Sequence, residues 1–181
     1  ISERNMKTQK TFQKGFTLIE LLVVIAVIGV LAGAIIVAIN PVDQLKRARD
    51  TQRISSTSQI AGAVSAFYAS KGGIYPTANT TWITQIQSQG ELKVIPAAVY
   101  GAAGFATCAA TAVQNGYCYL LSGNDFVVWS RLESLAQSNK CPTAPNTVPV
   151  YLFSSAMAQG GIACLTTSEP ATTAGYTFVN P

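Results

Sequence analysis

Between Phe16 and Ile39 the chain runs for 24 residues with a single charged side chain, Glu20. As a helix rising ~1.5 Å per residue, that run would span roughly 36 Å, enough to cross the ~30 Å hydrocarbon core of a bilayer. Asn40-Pro41 follows and predicts a break or kink, because proline removes a backbone donor and crowds the preceding turn. From Val42 a helical pattern resumes, with Ile54, Ala61, Val64 and Tyr68 on one face, widened by Ile60 and Phe67. The polar opposite face and the terminal Gly72-Gly73 predict an amphipathic helix that stops at glycine.

Beyond Gly73 the period shortens. "NTTWITQIQSQG" predicts a short helix entered at Thr80 or Thr81 and closed by Gly90, with Trp82 or Ile83 and Ile86 facing inward. Tyr117 to Leu121 and Asp125 to Leu132 read as strands around a turn at Ser122-Gly123-Asn124. Val150 to Phe153 and Tyr176 to Val179 are weaker strand candidates. "CPTAPNTVP" and "TTSEPATTAG" read as loops. Phe67, Tyr68, Trp82 and Trp129 are assigned to the core.

The formal charge of +4 over 181 residues suggests a basic protein until it is divided by region. Residues 1–15 hold four positives against Glu3. Residues 43–53 hold Lys46, Arg47, Arg49 and Arg53 against Asp43 and Asp50. From 54 to 181 the signs balance, with only Lys71, Lys93, Arg131 and Lys140 as cations. A duplex-binding face needs more clustered cations than that. Histidine is absent, which removes Ser-His, Cys-His and His-metal constellations together. Glu91, Asp125, Glu133 and Glu169 lie far apart in sequence and build no hard-cation cage. Neither an enzyme, a metal site nor a cofactor is expected.

All four cysteines, Cys108, Cys118, Cys141 and Cys164, follow the apolar run, without the close spacing of a zinc or redox motif. Disulfides are the better reading, and they place the body in an oxidising compartment. Of the three pairings, Cys108–Cys118 with Cys141–Cys164 suits the hairpin-like sequence between them. Lys7, Lys10 and Lys14 before the run favour a cytoplasmic N-terminus, which agrees. An export signal cut near Ala32-Gly33-Ala34 is the ordinary alternative, although its apolar core would be unusually long, and a plain uncleaved anchor is another.

Lys14-Gly15, Phe16 and Glu20 need a joint account. "KGFTLIELLVVIAVIGVLAGAIIVAI", residues 14–39, resembles the class III signal of type IV pilins and pseudopilins, and the amphipathic helix with "GGIYP" is similar to that family too. The resemblance implies cleavage by a prepilin peptidase between Gly15 and Phe16, then methylation of the new amino group of Phe16. Glycine suits the cut because it lets an active site approach the backbone. Glu20 would meet the amino-terminal Phe16 of a neighbouring subunit, offsetting the ~2.5–3.5 kcal/mol cost of a carboxylate in a membrane helix. The plain alternative is that Glu20 snorkels and favours the helix N-terminus. Gly29 and Gly33 have the close-packing spacing of membrane helices, and with Pro41 they could let the segment unwind in a filament. Asn79-Thr80-Thr81 matches an N-glycosylation acceptor, and the Thr-rich tail from Thr166 could take O-linked sugar.

The expected fold class is therefore α+β and type IV pilin-like. A long N-terminal helix, membrane half plus amphipathic half, would pack on a small antiparallel β-sheet head with two disulfides. The expected divisions are a cleaved cytoplasmic leader (1–15), a transmembrane or filament-core helix (16–40), its amphipathic half (41–72) and a globular head (73–181). Since the leader from Met6 to Gly15 already has the family's length, Ile1 to Asn5 could precede the true start. Function would be mechanical: a single-pass precursor in the cytoplasmic membrane, polymerised into an extracellular pilus for adhesion, motility or DNA uptake. Its partners would be identical subunits in a helical homopolymer, prepilin peptidase, the assembly platform and its motor ATPase, with DNA at most an indirect one. The competing readings are a pseudopilin of a secretion or competence machine and a membrane-anchored binding domain that never polymerises.

Overall fold

A computed structural model describes residues 15–98 and 112–179 of the chain. The chain divides into two units, residues 1–40 and residues 41–181. The expected leader through Lys14 lies outside the described residues, as does Cys108 and with it the Cys108–Cys118 pairing.

In the first unit the described residues form one helix, α1 (Leu18–Ile39). A helix closes its own backbone hydrogen bonds, the condition an apolar run must meet in lipid. Among the described residues it alone is long and apolar enough to cross a membrane, and none of that span is buried. Gly29 and Gly33 lie within it, with nothing within 4 Å of where a Cβ would stand. The helix ends at Asn40, whose φ of 47° and ψ of 74° are left-handed, a conformation asparagine tolerates better than most residues.

The second unit opens with α2 (Pro41–Ser70), which begins on the proline. A proline at the first helical position loses no hydrogen bond, so the predicted break is also a start. The stop is glycine, as expected: the Gly73 amide donates to the Tyr68 carbonyl at 2.9 Å, and Gly72 and Gly73 take positive φ of 66° and 92°. Next comes α3 (Trp82–Ser88), which buries Trp82, Ile83 and Ile86.

Six strands then make an antiparallel meander in chain order: β1 (Val113–Gln114), β2 (Tyr117–Ser122), β3 (Asp125–Arg131), β4 (Val148–Ser154), β5 (Gln159–Leu165) and β6 (Phe178–Val179). The β2–β3 hairpin pairs Ser122 with Asp125, leaving Gly123-Asn124 as its two-residue turn, with Gly123 at a φ of 61°. Glycine is the residue that this first turn position requires. A one-turn helix, α4 (Leu135–Ser138), links β3 to β4.

Strand alternation sends successive residues to opposite faces. One face, with Tyr119, Phe126, Val128 and Phe153, packs with Ile60, Val64 and Phe67 of α2 and Trp82, Ile83 and Ile86 of α3. Trp82 stacks on Tyr119 with ring centroids 4.8 Å apart. The other face gathers Cys118, Val127, Trp129, Val150, Leu152 and Ala163 under Tyr176 and Phe178 of the C-terminal segment. That segment is tied down by Trp129 Nε1 donating to the Ser168 carbonyl at 2.9 Å, and by Ser154 Oγ donating to the Thr173 carbonyl.

The α+β class, the apolar helix, the antiparallel sheet and the Cys141–Cys164 disulfide all agree with expectation. Cys118 is not a free thiol. Other elements differ. β5 was not anticipated because Gly160-Gly161 weakens any strand signal. It is a strand because the small residues let Phe178 lie on Gly161, where an added Cβ would fall 2.7 Å from its ring. β4 starts at Val148 and takes in Pro149, read above as loop. On α2, Ile54 and Tyr68 are only half-buried, and the stripe continues toward the N-terminus through the polar Thr57, Ser56, Arg53, Asp50 and Asp43.

Candidate functional site

Gly15, Phe16 and Thr17 lie ahead of α1, outside any helix or strand. Thr17 has β-region angles, φ −83° and ψ 150°, and caps the helix. Its hydroxyl accepts from the Glu20 amide at 3.3 Å, while the Thr17 amide donates to Glu20 Oε2 at 2.9 Å and the Thr17 hydroxyl donates to the same oxygen at 2.7 Å. This is a reciprocal capping box, which satisfies helix-start donors that otherwise lack partners. The pattern Thr-x-x-Glu was present in the sequence and could have identified it.

The cap changes what Glu20 is. Its carboxylate sits within the first helical turn, where the helix dipole favours negative charge. Both local donors fall on Oε2, and a carboxylate offers about four acceptor sites, so capacity remains for an incoming ammonium group. Phe16 is 81% exposed, and together with Ile19, Glu20, Val23 and Val24 it lines a shallow apolar groove along the helix start. The Gly15–Phe16 bond is thus unencumbered on the described side, with nothing within 4 Å of a Cβ added at Gly15. Gly29 and Gly33 share a helix with this group, while Pro41 belongs to the second unit.

A second charged constellation anchors α2 to the chain after β3. Asp50 accepts from the Glu133 and Ser134 amides at 2.9 and 2.8 Å, and from Arg53 Nη1 at 2.9 Å. The Glu133 carboxylate accepts from Arg49 Nε at 2.5 Å and from Arg53 Nη1 at 3.0 Å. Two turns earlier on α2, Asp43 accepts from the Leu135 amide and from Arg47 Nε, both at 2.8 Å. The Leu135 amide, and after it Arg47, hold the Asp43 carboxyl below the usual carboxylate range. Hydrogen bonding to Glu133 likewise raises Arg49. Three cations thus face three carboxylates, and two of the carboxylates hold backbone amides that a helix and a strand end would otherwise leave buried. In the sequence, residues 43–53 read as a stretch of net positive charge. The acidic partners at i−3 and i−4 were visible, but Glu133 is 80 residues from Arg53.

Asn79 precedes α3 and uses its side-chain oxygen to accept from the Thr81 amide, the Thr81 hydroxyl and Gln85 Nε2 at 2.9, 3.0 and 3.1 Å. Asn79 is exposed, as an acceptor of sugar must be. Cys141 and Cys164 are bonded, 5.4 Å apart at Cα. Among the described residues no three His, Cys, Asp or Glu side chains gather to hold a metal ion.

Residues 10–36 match the family model described as the prokaryotic N-terminal methylation motif. The chain is 36% identical over 112 residues to a fimbrial protein, EcpC, of Eikenella corrodens, an alignment covering 59% of this chain and 70% of that one. It is 41% identical over 71 residues to the type IV major pilin protein PilE of Neisseria gonorrhoeae, covering 39% of this chain and 41% of that one. No solved structure matches.

Proposed function

The chain belongs to the type IV pilin family, and on that footing we propose that it is the structural subunit of an extracellular filament, made as a membrane precursor and polymerised after its leader is cut away. The observation that carries this reading is α1: an apolar helix with none of Leu18–Ile36 buried and a carboxylate capped at its start. So much uncovered apolar surface has to lie in lipid or against other copies. In the precursor lipid covers it. In the filament neighbouring α1 helices do, and Gly29 and Gly33 allow their backbones to approach closely.

Prepilin peptidase cuts between Gly15 and Phe16, and Phe16 is then N-methylated. The match to the methylation motif spans both residues, and their exposure supports access. Cleavage creates a positive amino terminus four residues before Glu20. In the assembled fibre the Glu20 carboxylate accepts from the Phe16 amine of a neighbouring copy while keeping its own Thr17 cap, so neither charge is left bare in apolar surroundings. The Cys141–Cys164 disulfide supports export of the head to an oxidising compartment. The assembly platform and its motor ATPase lift each subunit out of the membrane. The role is structural and requires no catalysis by this chain.

Two measurements on sheared cell-surface material test this. Mass spectrometry of the chain should find an N-terminal peptide beginning at methylated Phe16, and electron microscopy should show long fibres containing the chain. An intact leader, or a start near Ala34, would refute the processing. Correct processing without long fibres would refute the filament and point to a short secretion piston.

A further inference from the structure

The face of the sheet that α2 covers is not covered to its edge. Tyr151 on β4, Ile162 on β5 and Val179 on β6 are cross-strand partners in one row, and Gly160 pairs with Phe153 on the same face. With Gly161 and Ile54 of α2 they line an apolar groove of about 270 Å³. Drug-sized ligands take pockets of ~300–1,000 Å³, so this one suits an aliphatic side chain better. Gly160 keeps it open: a Cβ there would approach Tyr151 Oη to 3.1 Å and Phe153 to 3.2 Å.

The same unit carries a complementary feature. Val42 and Leu45, three apart and so neighbours on the surface of α2, are 61% and 62% exposed. Leu45 precedes Ile54 by nine residues. At ~100° and ~1.5 Å per residue, the two lie on opposite sides of the helix and about 14 Å apart along it. A knob and a socket that face opposite ways on one helix do not pair reciprocally across a two-fold axis. They join copies head to tail, in the open manner of a filament.

We infer that the groove of Ile54, Tyr151, Gly160, Ile162 and Val179 receives Val42 and Leu45 of a second copy of this chain, a heterologous contact between the folded units of successive subunits. This deepens the filament reading and rests on it. The contact is far smaller than the ~1,200 Å² of a stable free interface, so detached heads do not pair through it. It acts only where α1 already holds copies together and raises their effective concentration. The residues that line the groove carry no charge, which suits apolar contact there.

The test is photo-crosslinking in filaments assembled from the full chain, with p-benzoylphenylalanine in place of Leu45. Irradiation should give a covalent dimer whose cross-linked peptide from the second copy contains Tyr151, Ile162 or Val179. Val179→Glu at the rim should cut that dimer at least fivefold while leaving the chain in fibres. If fibres contain the chain but position 45 links only to α1 or to other parts of the head, or to nothing, the contact is refuted and the filament reading stands. If no fibres contain the chain, both fail.

Discussion

Arg53 and Asp50 form an ion pair at 2.9 Å, with side chains 1% and 2% exposed. Asp50 also holds the Glu133 and Ser134 amides, and Arg53 also bonds Glu133, so the pair fastens α2 to the end of β3. Removing one partner strands the others without water. Arg53→Met is expected to lower unfolding free energy by about 3–5 kcal/mol, read from denaturant melts of the detergent-solubilised chain. Gln52→Ala, on an exposed neighbour, should stay within about 0.5 kcal/mol of the parent.

Asp43 makes part of the same anchorage dependent on pH. The Leu135 amide and Arg47 depress its pKa in the folded chain. A carboxylate whose folded value is depressed contributes stability that is complete above its unfolded pKa, ~3.9, and lost as pH falls through the lower folded value. Below about pH 4 the parent should therefore lose stability more steeply than Asp43→Asn, which has no such proton to take up. Parallel slopes in acid melts would contradict this.

Two roles of Glu20, cap and charge, can be separated. Thr17→Ala removes the hydroxyl that caps α1 but leaves the carboxylate. It should cost about 1 kcal/mol of local helix stability, visible as faster amide exchange near Leu18 to Glu20, with filaments still formed. Glu20→Gln keeps an oxygen for the Thr17 amide but not the charge. If the intersubunit ion pair is what matters, this variant should stay in the membrane and fail to assemble. Normal fibre yield would leave the cap as its whole purpose.

Gly161→Ala tests how β6 is held. The added Cβ would fall 2.7 Å from Phe178 Cδ1 and 3.1 Å from its Cγ, forcing the ring outward at about 1–3 kcal/mol. Hydrogen exchange should quicken at Ile162 and Ala163, the residues β6 pairs with. Gly160→Ala meets the end of Tyr151 at 3.1 Å and the edge of Phe153 at 3.2 Å, with the Leu152 carbonyl in ordinary contact at 3.6 Å, and should cost less.

Loss of the Cys141–Cys164 bridge, in Cys141→Ser/Cys164→Ser, frees a link across 23 residues. About 3 kcal/mol of destabilisation is expected for a loop of that size, measured by melting under non-reducing conditions. The β4–β5 ends should exchange fastest in the variant, since Cys164 pairs with Pro149.

The parts of this molecule that were legible in its sequence are those whose cause is local. The apolar run from Phe16, with Glu20 its one charge, the glycine stop after Ser70 and the Ser122 to Asp125 hairpin each follow from residues adjacent in the chain. β5 was not legible, because Gly160-Gly161 has no propensity to announce and makes sense only beneath Phe178. Nor was the burial of Asp43, Asp50 and Arg53. Those residues read as solvated charges until Glu133 and the Leu135 amide, more than 79 positions on, are brought against them. At the candidate site, Gly15, Phe16 and Glu20 stand out through the motif they share, whereas the bond between Thr17 and Glu20 rests on a Thr-x-x-Glu spacing that the lone charge in an apolar run overshadows.

Asn40 and Pro41 have a further consequence. A helix transmits fraying along its own ladder of hydrogen bonds, each turn leaning on the next. Here the ladder is cut: Asn40 turns left-handed and Pro41 has no amide to offer. Melting that starts in α1 meets a firebreak before α2, and the folded head does not depend on the state of α1. In the filament proposed above, a subunit would exchange lipid for protein around its first helix while its second stays native.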